Sequence, residues 1–454
     1  YLWNEDFRKL TLNYNQAYDE FVNNTLSSMT TNILDGHWEN GKRQYIYSYI
    51  QRVSTSSASA SLADITRAKT PVSGYGFYAE PAILDYSGAY YFLVDWVYPD
   101  SPASEAGLKR GDIIGKVNGT TINQSNVENI YYEYFYYYPA VGTKTTFSRC
   151  SYDFENERPS YGEDADVEVT ASSYYETPVI YYNVLSSSVD SSVKIGYMVY
   201  NSFDSDYDDD VRKVFEMFKE SGVNQVILDL RYNGGGAVSS ARMISSALAG
   251  AKGNDQVFEY YRRNDERMAA KGLDKDDYRT YENEKFDSSV ASQYGFDLKD
   301  VYVLTSVNTA SASELIINSL RGIDMPVTTV GTTTNGKNVG MEVMQFGPVD
   351  GYYYVFAPIT FQSYNAKGES DYANGFEPDV LADYTNLIPY DWGLKEPLLI
   401  AALNDILSTP TTSKAMQSFQ TNRRIFTPVK MKHSRFDDPL RTNMYMVLDE
   451  NKAE

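Results

Sequence analysis

Val226-Ile227-Leu228-Asp229-Leu230 is an almost wholly apolar run that stops abruptly at Arg231-Tyr232-Asn233-Gly234-Gly235-Gly236. A strand this apolar has no face to offer water, so it belongs inside a sheet covered on both sides. Helical patterns flank it. Val211, Val214, Phe215 and Phe218 follow the i, i+3, i+4, i+7 rule between Asp208 and Ser221, and Gly222 ends that helix. Met243, Ile244 and Leu248 mark another helix after the glycines. Lys194–Val199, Val301–Leu304 and Val327–Val330 read as further strands. Strands alternating with helices predict a layered α/β core.

The strand at 301–304 leads into Thr309-Ala310-Ser311-Ala312-Ser313-Glu314, and Asn335-Gly336-Lys337 follows, with the lysine 26 positions after Ser311. Ser311-x-x-Glu314 is a capping box, in which serine and glutamate satisfy free amides at a helix start. The same residues also fit a nucleophile and its base. A serine hydroxyl attacks poorly until a base takes its proton. A neutral lysine can do this, provided burial lowers its pKa from about 10.4 by roughly three units, or about 4 kcal/mol. No acid stands immediately beside Lys337 in sequence. The Ala312 amide at the helix start and the Gly234-Gly235 turn offer donors for an oxyanion. No Gly-Lys-Ser/Thr follows the glycines, which argues against a phosphate loop.

Composition narrows the chemistry. The 454 residues exceed one typical core and predict two to four domains. A formal net charge of −21 repels phosphate backbones, so no nucleic acid partner is expected. The single Cys150 excludes an intramolecular disulfide and a Cys-rich metal site. Only His37 and His433 are available to a histidine-based site, which favours a lysine base.

Residues 1–68 read as a helical unit, with Phe7, Leu10, Leu12, Tyr18, Phe21 and Val22 at near-helical spacing and Trp3 and Trp38 as anchors. Ser73-Gly74-Tyr75-Gly76-Phe77 opens a second unit, 69–182. The string from Ser101-Pro102-Ala103 through Ala106-Gly107-Leu108, Gly111-Asp112 and Val117-Asn118-Gly119 resembles a PDZ domain of the circularly permuted bacterial type. That resemblance implies that Gly74, Tyr75, Gly76 and Phe77 receive a peptide's terminal carboxylate. It also makes Ser125–Tyr138 the helix beside the groove.

With "VILDLRYNGGG", "TASASE", the glycine-lysine turn and Gly375-Phe376-Glu377-Pro378-Asp379-Val380, residues 70–405 resemble the C-terminal processing, or tail-specific, serine peptidases. The resemblance implies a crotonase/ClpP-like peptidase core at 183–407 with the PDZ-like domain inserted ahead of it. Ser311 would be the nucleophile and Lys337 the base, with no metal and no cofactor. The substrates would be protein or peptide C-terminal tails. The location would be periplasm or cell envelope, lipid-anchored or secreted, and a homo-oligomer is compatible. Two departures stand out. The serine-lysine gap is about one residue longer than usual, and Met341 occupies the place of a glutamine that orients the lysine. Glu342 is the candidate third member. The alternative is a weak or inactive PDZ-containing scaffold that binds peptides; an acyl-CoA enzyme on the same core is disfavoured by the PDZ string. The tail, 408–454, fits an accessory strand or an arm.

Overall fold

The computed structural model describes residues 13, 15–28, 35–39, 42–45, 47–55, 69–84, 88–153, 156, 158–186, 191–384, 388–407 and 426–431. Its centre is a six-stranded sheet in the order Val179–Ser186, Lys194–Tyr200, Gln225–Asp229, Val301–Thr305, Val327–Gly331 and Val380–Leu381. Only the first pairing is antiparallel. The apolar run behaves as its pattern requires. Val226 and Leu228 enter the cluster beneath the helices Asp208–Glu220, Val238–Ala249 and Ala312–Gly322. Ile227 points to the other face, with Leu398, Leu399 and Ala402 of the Pro397–Ile406 helix. Each fully buried aliphatic side chain contributes about 1.5–3 kcal/mol. Both faces being covered is what permits a strand with no polar side.

The PDZ-like region is built on a second sheet. Phe77–Leu84, Ala89–Val97, Ile113–Val117 and Lys144–Asp153 pair antiparallel in that order. The helix expected over 125–138 is shorter. It runs Val127–Ile130 and continues as a π-helix over Tyr131–Tyr136. Phe135 packs on Phe77 and Phe92 at 5.5 and 4.2 Å between ring centroids, so its aromatic face is mainly core, while Tyr137 and Tyr138 are exposed.

This region is pinned to the central sheet through buried polar contacts. Arg110 donates to the Tyr232 hydroxyl at 3.0 Å, and that hydroxyl donates to Asp95 at 3.2 Å. Burial raises the Asp95 carboxyl well above its usual range. A cavity of about 380 Å³ lies here, with Asp95, Arg110, Arg231 and Ser306 among its walls.

The helical reading of residues 1–68 needs correction. Among the described residues a helix covers Tyr18–Ser28. Strands follow at Gly36–Glu39, Lys42–Tyr45 and Tyr49–Ser54. The last pairs antiparallel along Tyr352–Ala357, from Tyr49 opposite Ala357 to Ser54 opposite Tyr352. This part of the chain therefore adds a strand to the core rather than standing as a separate helical body. Phe7, Leu10, Leu12 and Trp3 lie outside the described residues, as do most of the tail and His433.

Candidate active site

Ser311 caps the Ala312–Gly322 helix with φ +58° and ψ −114°. A non-glycine residue held there costs on the order of 1–3 kcal/mol and persists only where neighbours fix it. The neighbours are identifiable. Thr309 Oγ1 donates to Leu230 O at 2.9 Å. Ala310 N and Ser313 Oγ both donate to Asn233 O, at 3.1 and 2.9 Å. The turn is thus bolted to the glycine turn at the end of the central strand. The two serines are separated by this arrangement. The Ser313 hydroxyl is spent on the brace, whereas Ser311 Oγ is buried and, among the described residues, has no hydrogen-bond partner beyond its own helix turn.

Glu314 is the hub. One of its carboxylate oxygens accepts from Ser311 N at 3.0 Å and Lys337 N at 2.8 Å. The other accepts from Thr334 Oγ1 at 2.6 Å and Gly336 N at 2.7 Å. Burial lifts this carboxyl to about 7, against the pull of those four donors. The glutamate half of the expected capping box therefore forms, and it reaches across to the lysine turn as well.

The lysine turn depends on two glycines. Gly336 has φ +95°, and a Cβ there would lie 2.5 Å from Ala373 O and 2.6 Å from Gly375 N. A Cβ on Gly375 would lie 2.2 Å from Thr334 O. The "GFEPDV" segment is consequently a brace against the lysine turn: Phe376 N donates to Thr334 Oγ1 at 2.7 Å, and Thr334 N to Phe376 O at 3.1 Å. Lys337 is 1% exposed. Burial brings its ammonium down to about 7; Asp35 and Glu314 pull it back toward the charged form.

Asp35 joins the site from the N-terminal segment. It is fully buried and accepts from Tyr47 N at 2.6 Å, Ser48 N at 3.3 Å and Ser48 Oγ at 2.5 Å. The Tyr47 ring lies 5.2 Å from Lys337 Nζ, and its hydroxyl is 3.4 Å from Asn335 Oδ1. Ser48 Oγ also accepts from Ile359 N at 3.0 Å, and Ile359 is the strand partner of Met341. A carboxylate from the N-terminal segment thus acts on Lys337 from outside the lysine turn. Nothing local in Asp35-Gly36 distinguishes it from a turn dipeptide.

Glu342 is placed elsewhere. Its oxygens face Arg263 and Arg267 at 3.0 and 3.1 Å, which hold its carboxyl below the usual range. Met341 is fully buried in the Val339–Met341 strand. Of the glycines proposed for an oxyanion hole, Gly235 has φ +114°, and a Cβ on it would sit 2.8 Å from Ser311 Cβ and 3.1 Å from Ala312 N. Its N–H donates to Asn233 Oδ1 at 2.8 Å. Gly235 accordingly supplies close approach, and its own amide is engaged by Asn233.

Arg231 is held by Asp229, at 2.9 and 2.7 Å, and by Glu396, so it braces the strand end. At the PDZ end, Gly76 has φ +84°, and a Cβ there would collide with Ser101. Gly76 O and Tyr75 O accept from Tyr98 N and Ala103 N at 2.9 and 2.8 Å. Gly74 ends the Val72–Gly74 strand and Phe77 starts the next.

Residues 194–382 match the model of peptidase family S41, and residues 93–132 match a PDZ domain model. The chain is similar to a solved chain from Bacteroides fragilis NCTC 9343 assigned as an S41 protease. That match has 27% identity and a TM-score of 0.68, and covers 90% of this chain and 95% of that one. Proteins assigned as CtpA-like serine proteases in Staphylococcus epidermidis and Staphylococcus aureus are 23% and 24% identical over 62% of this chain. The chain spans about half the length of these curated relatives, 48% of each.

Proposed function

We propose that this chain is a peptidase of family S41 carrying a PDZ domain, as the models matched over residues 194–382 and 93–132 support, and that it is a serine endopeptidase with a Ser311–Lys337 catalytic pair. Neutral Lys337 takes the Ser311 proton as Oγ attacks a peptide carbonyl carbon. The resulting oxyanion is met by the Ala312 amide at the helix start and the Gly234 amide of the glycine turn. The Lys337 ammonium then gives its proton to the leaving amine, and an acyl ester remains on Ser311. Water, deprotonated by the same lysine, hydrolyses that ester and restores the hydroxyl. Asp35 serves as the polar group that sets the lysine's position, in place of a residue at 341. The central sheet with its flanking helices fits a crotonase/ClpP-like core. Substrates are protein or peptide tails held along the PDZ groove, and the setting is the cell envelope.

The observation that carries this reading is a buried lysine with a pKa near 7 whose backbone shares one carboxylate with the backbone of a buried serine. Cleavage of unfolded proteins by wild type, Ser311→Ala and Lys337→Ala tests it. Both variants should lose cleavage while keeping the fold. Equal cleavage by all three would eliminate the assignment. The full burial of Ser311 favours one second reading, a scaffold that binds tails without cutting them; absence of cleavage by wild type with tail binding intact would select it.

A further inference from the structure

The PDZ-region sheet is completed by residues remote in sequence. Phe426–Pro428 pairs antiparallel with Phe77–Leu84, placing Phe426 opposite Leu84, Thr427 opposite Ile83 and Pro428 opposite Ala82. Val429 N donates to Pro81 O at 2.9 Å. The segment therefore runs from the far end of the strand toward Phe77 and the 74–77 turn. Val429 and Met431 join the apolar cluster of Tyr75, Phe77, Ile130 and Tyr131, with Met431 only 7% exposed. Among the described residues, Phe77–Leu84 is otherwise an edge strand, with Ala89–Val97 as its other neighbour.

Addition of an extended strand to a sheet edge, with alternate side chains dropping into pockets, is how such grooves take peptides. Here the chain supplies the strand itself. Resting on the reading of this groove as the tail-binding site, we propose that Phe426–Met431 is a built-in ligand of the groove, which a substrate tail must displace before it can bind.

The pairing is suited to displacement. Pro81 and Pro428 have no N–H to give, which limits the hydrogen bonds along it. Thr427, Pro428 and Lys430 are exposed, so the hold rests on Phe426, Val429 and Met431. Being tethered, the segment acts at an effective concentration on the order of millimolar and weakens the apparent affinity of any free peptide. Only tails that fill the apolar pockets better, or that arrive on a multivalent substrate, would exchange with it.

The test uses full-length Ser311→Ala protein, so that binding is read without cleavage. The probe is a short fluorescent peptide with a free α-carboxylate and three apolar C-terminal residues. Adding Val429→Asp or Met431→Asp should tighten its binding on the order of tenfold or more. Unchanged or weaker binding in folded variants would overturn the proposal, as would no binding by any of the proteins. Should the variants not fold, hydrogen exchange on the Ser311→Ala protein decides. Saturating peptide should speed exchange at the Val429 amide, and an unchanged or slowed rate overturns the proposal. Either failure leaves the Ser311 chemistry standing, since that is read by cleavage alone.

Discussion

The backbone amides of Ser311 and Lys337 donate to the same oxygen of Glu314, at 3.0 and 2.8 Å. This shared acceptor fixes two turns that come from different strands of the sheet.

Replacing Glu314 by Gln tests the hub. An amide can accept at only one of its two ends, so one pair of donors would face an NH2 group. Each buried donor left unpaired costs about 1–3 kcal/mol. Glu314→Gln should lower the thermal midpoint clearly and cut cleavage at least tenfold. A variant with wild-type stability and rate would show that the turns are fixed by other contacts.

Lys337 should limit stability as well as activity. Its folded-state pKa is about 7, while an unfolded lysine keeps its proton to about 10.4. Between those values the unfolded chain binds the extra proton, so stability rises with pH across this window, and the cost of the lysine is full below pH 7. Lys337→Met should therefore abolish cleavage yet stabilise the fold, more at pH 6 than at pH 9. The gain should be on the order of 2–4 kcal/mol at most, reduced by the loss of the cation that Asp35 faces. Urea melts at the two pH values would measure it.

Asp35 favours the charged lysine. Asp35→Asn removes that attraction, so the lysine should lose its proton at lower pH. The acid limb of kcat/KM should move down by about one pH unit. A purely structural role would reduce the rate without moving the limb. Glu314 and the Tyr47 ring, which also face Lys337, are unchanged in this variant.

Gly235 has no room for a side chain. Its φ of +114° and the 2.8 Å approach of a Cβ to Ser311 Cβ predict that Gly235→Ala displaces the nucleophile's turn and loses most cleavage. Gly162 has nothing within 4 Å of an added Cβ, and Gly162→Ala should leave the rate unchanged. Parallel assays of the two variants separate a local steric effect from a general glycine effect.

The elements around the site were legible in sequence to different degrees. Val226–Leu230 showed its burial because a two-sided strand must be continuously apolar, and Val211, Val214, Phe215 and Phe218 showed a helix because 3.6-residue spacing is a local property. Tyr49–Ser54 was not read as a strand, since its reason for existing is the edge of Tyr352–Ala357 far along the chain. Glu342 lies next to Met341 in sequence but past the end of the Val339–Met341 strand, where Arg263 and Arg267 hold it. Asp35 escaped notice because its role depends on a tertiary approach to Lys337 that leaves no trace in its own neighbours. Glu314 was recognised as a cap, while its reach to Gly336 and Lys337 needed the folded chain.

The most direct measurement is the rate at which a fluorophosphonate labels the protein as a function of pH, with the modified residue identified by peptide mapping. The account predicts a single adduct on Ser311, formed at a rate that rises through pH 7 and is nearly abolished in Lys337→Ala. Labelling of another residue, or a Ser311 rate that is the same with and without Lys337, would contradict it.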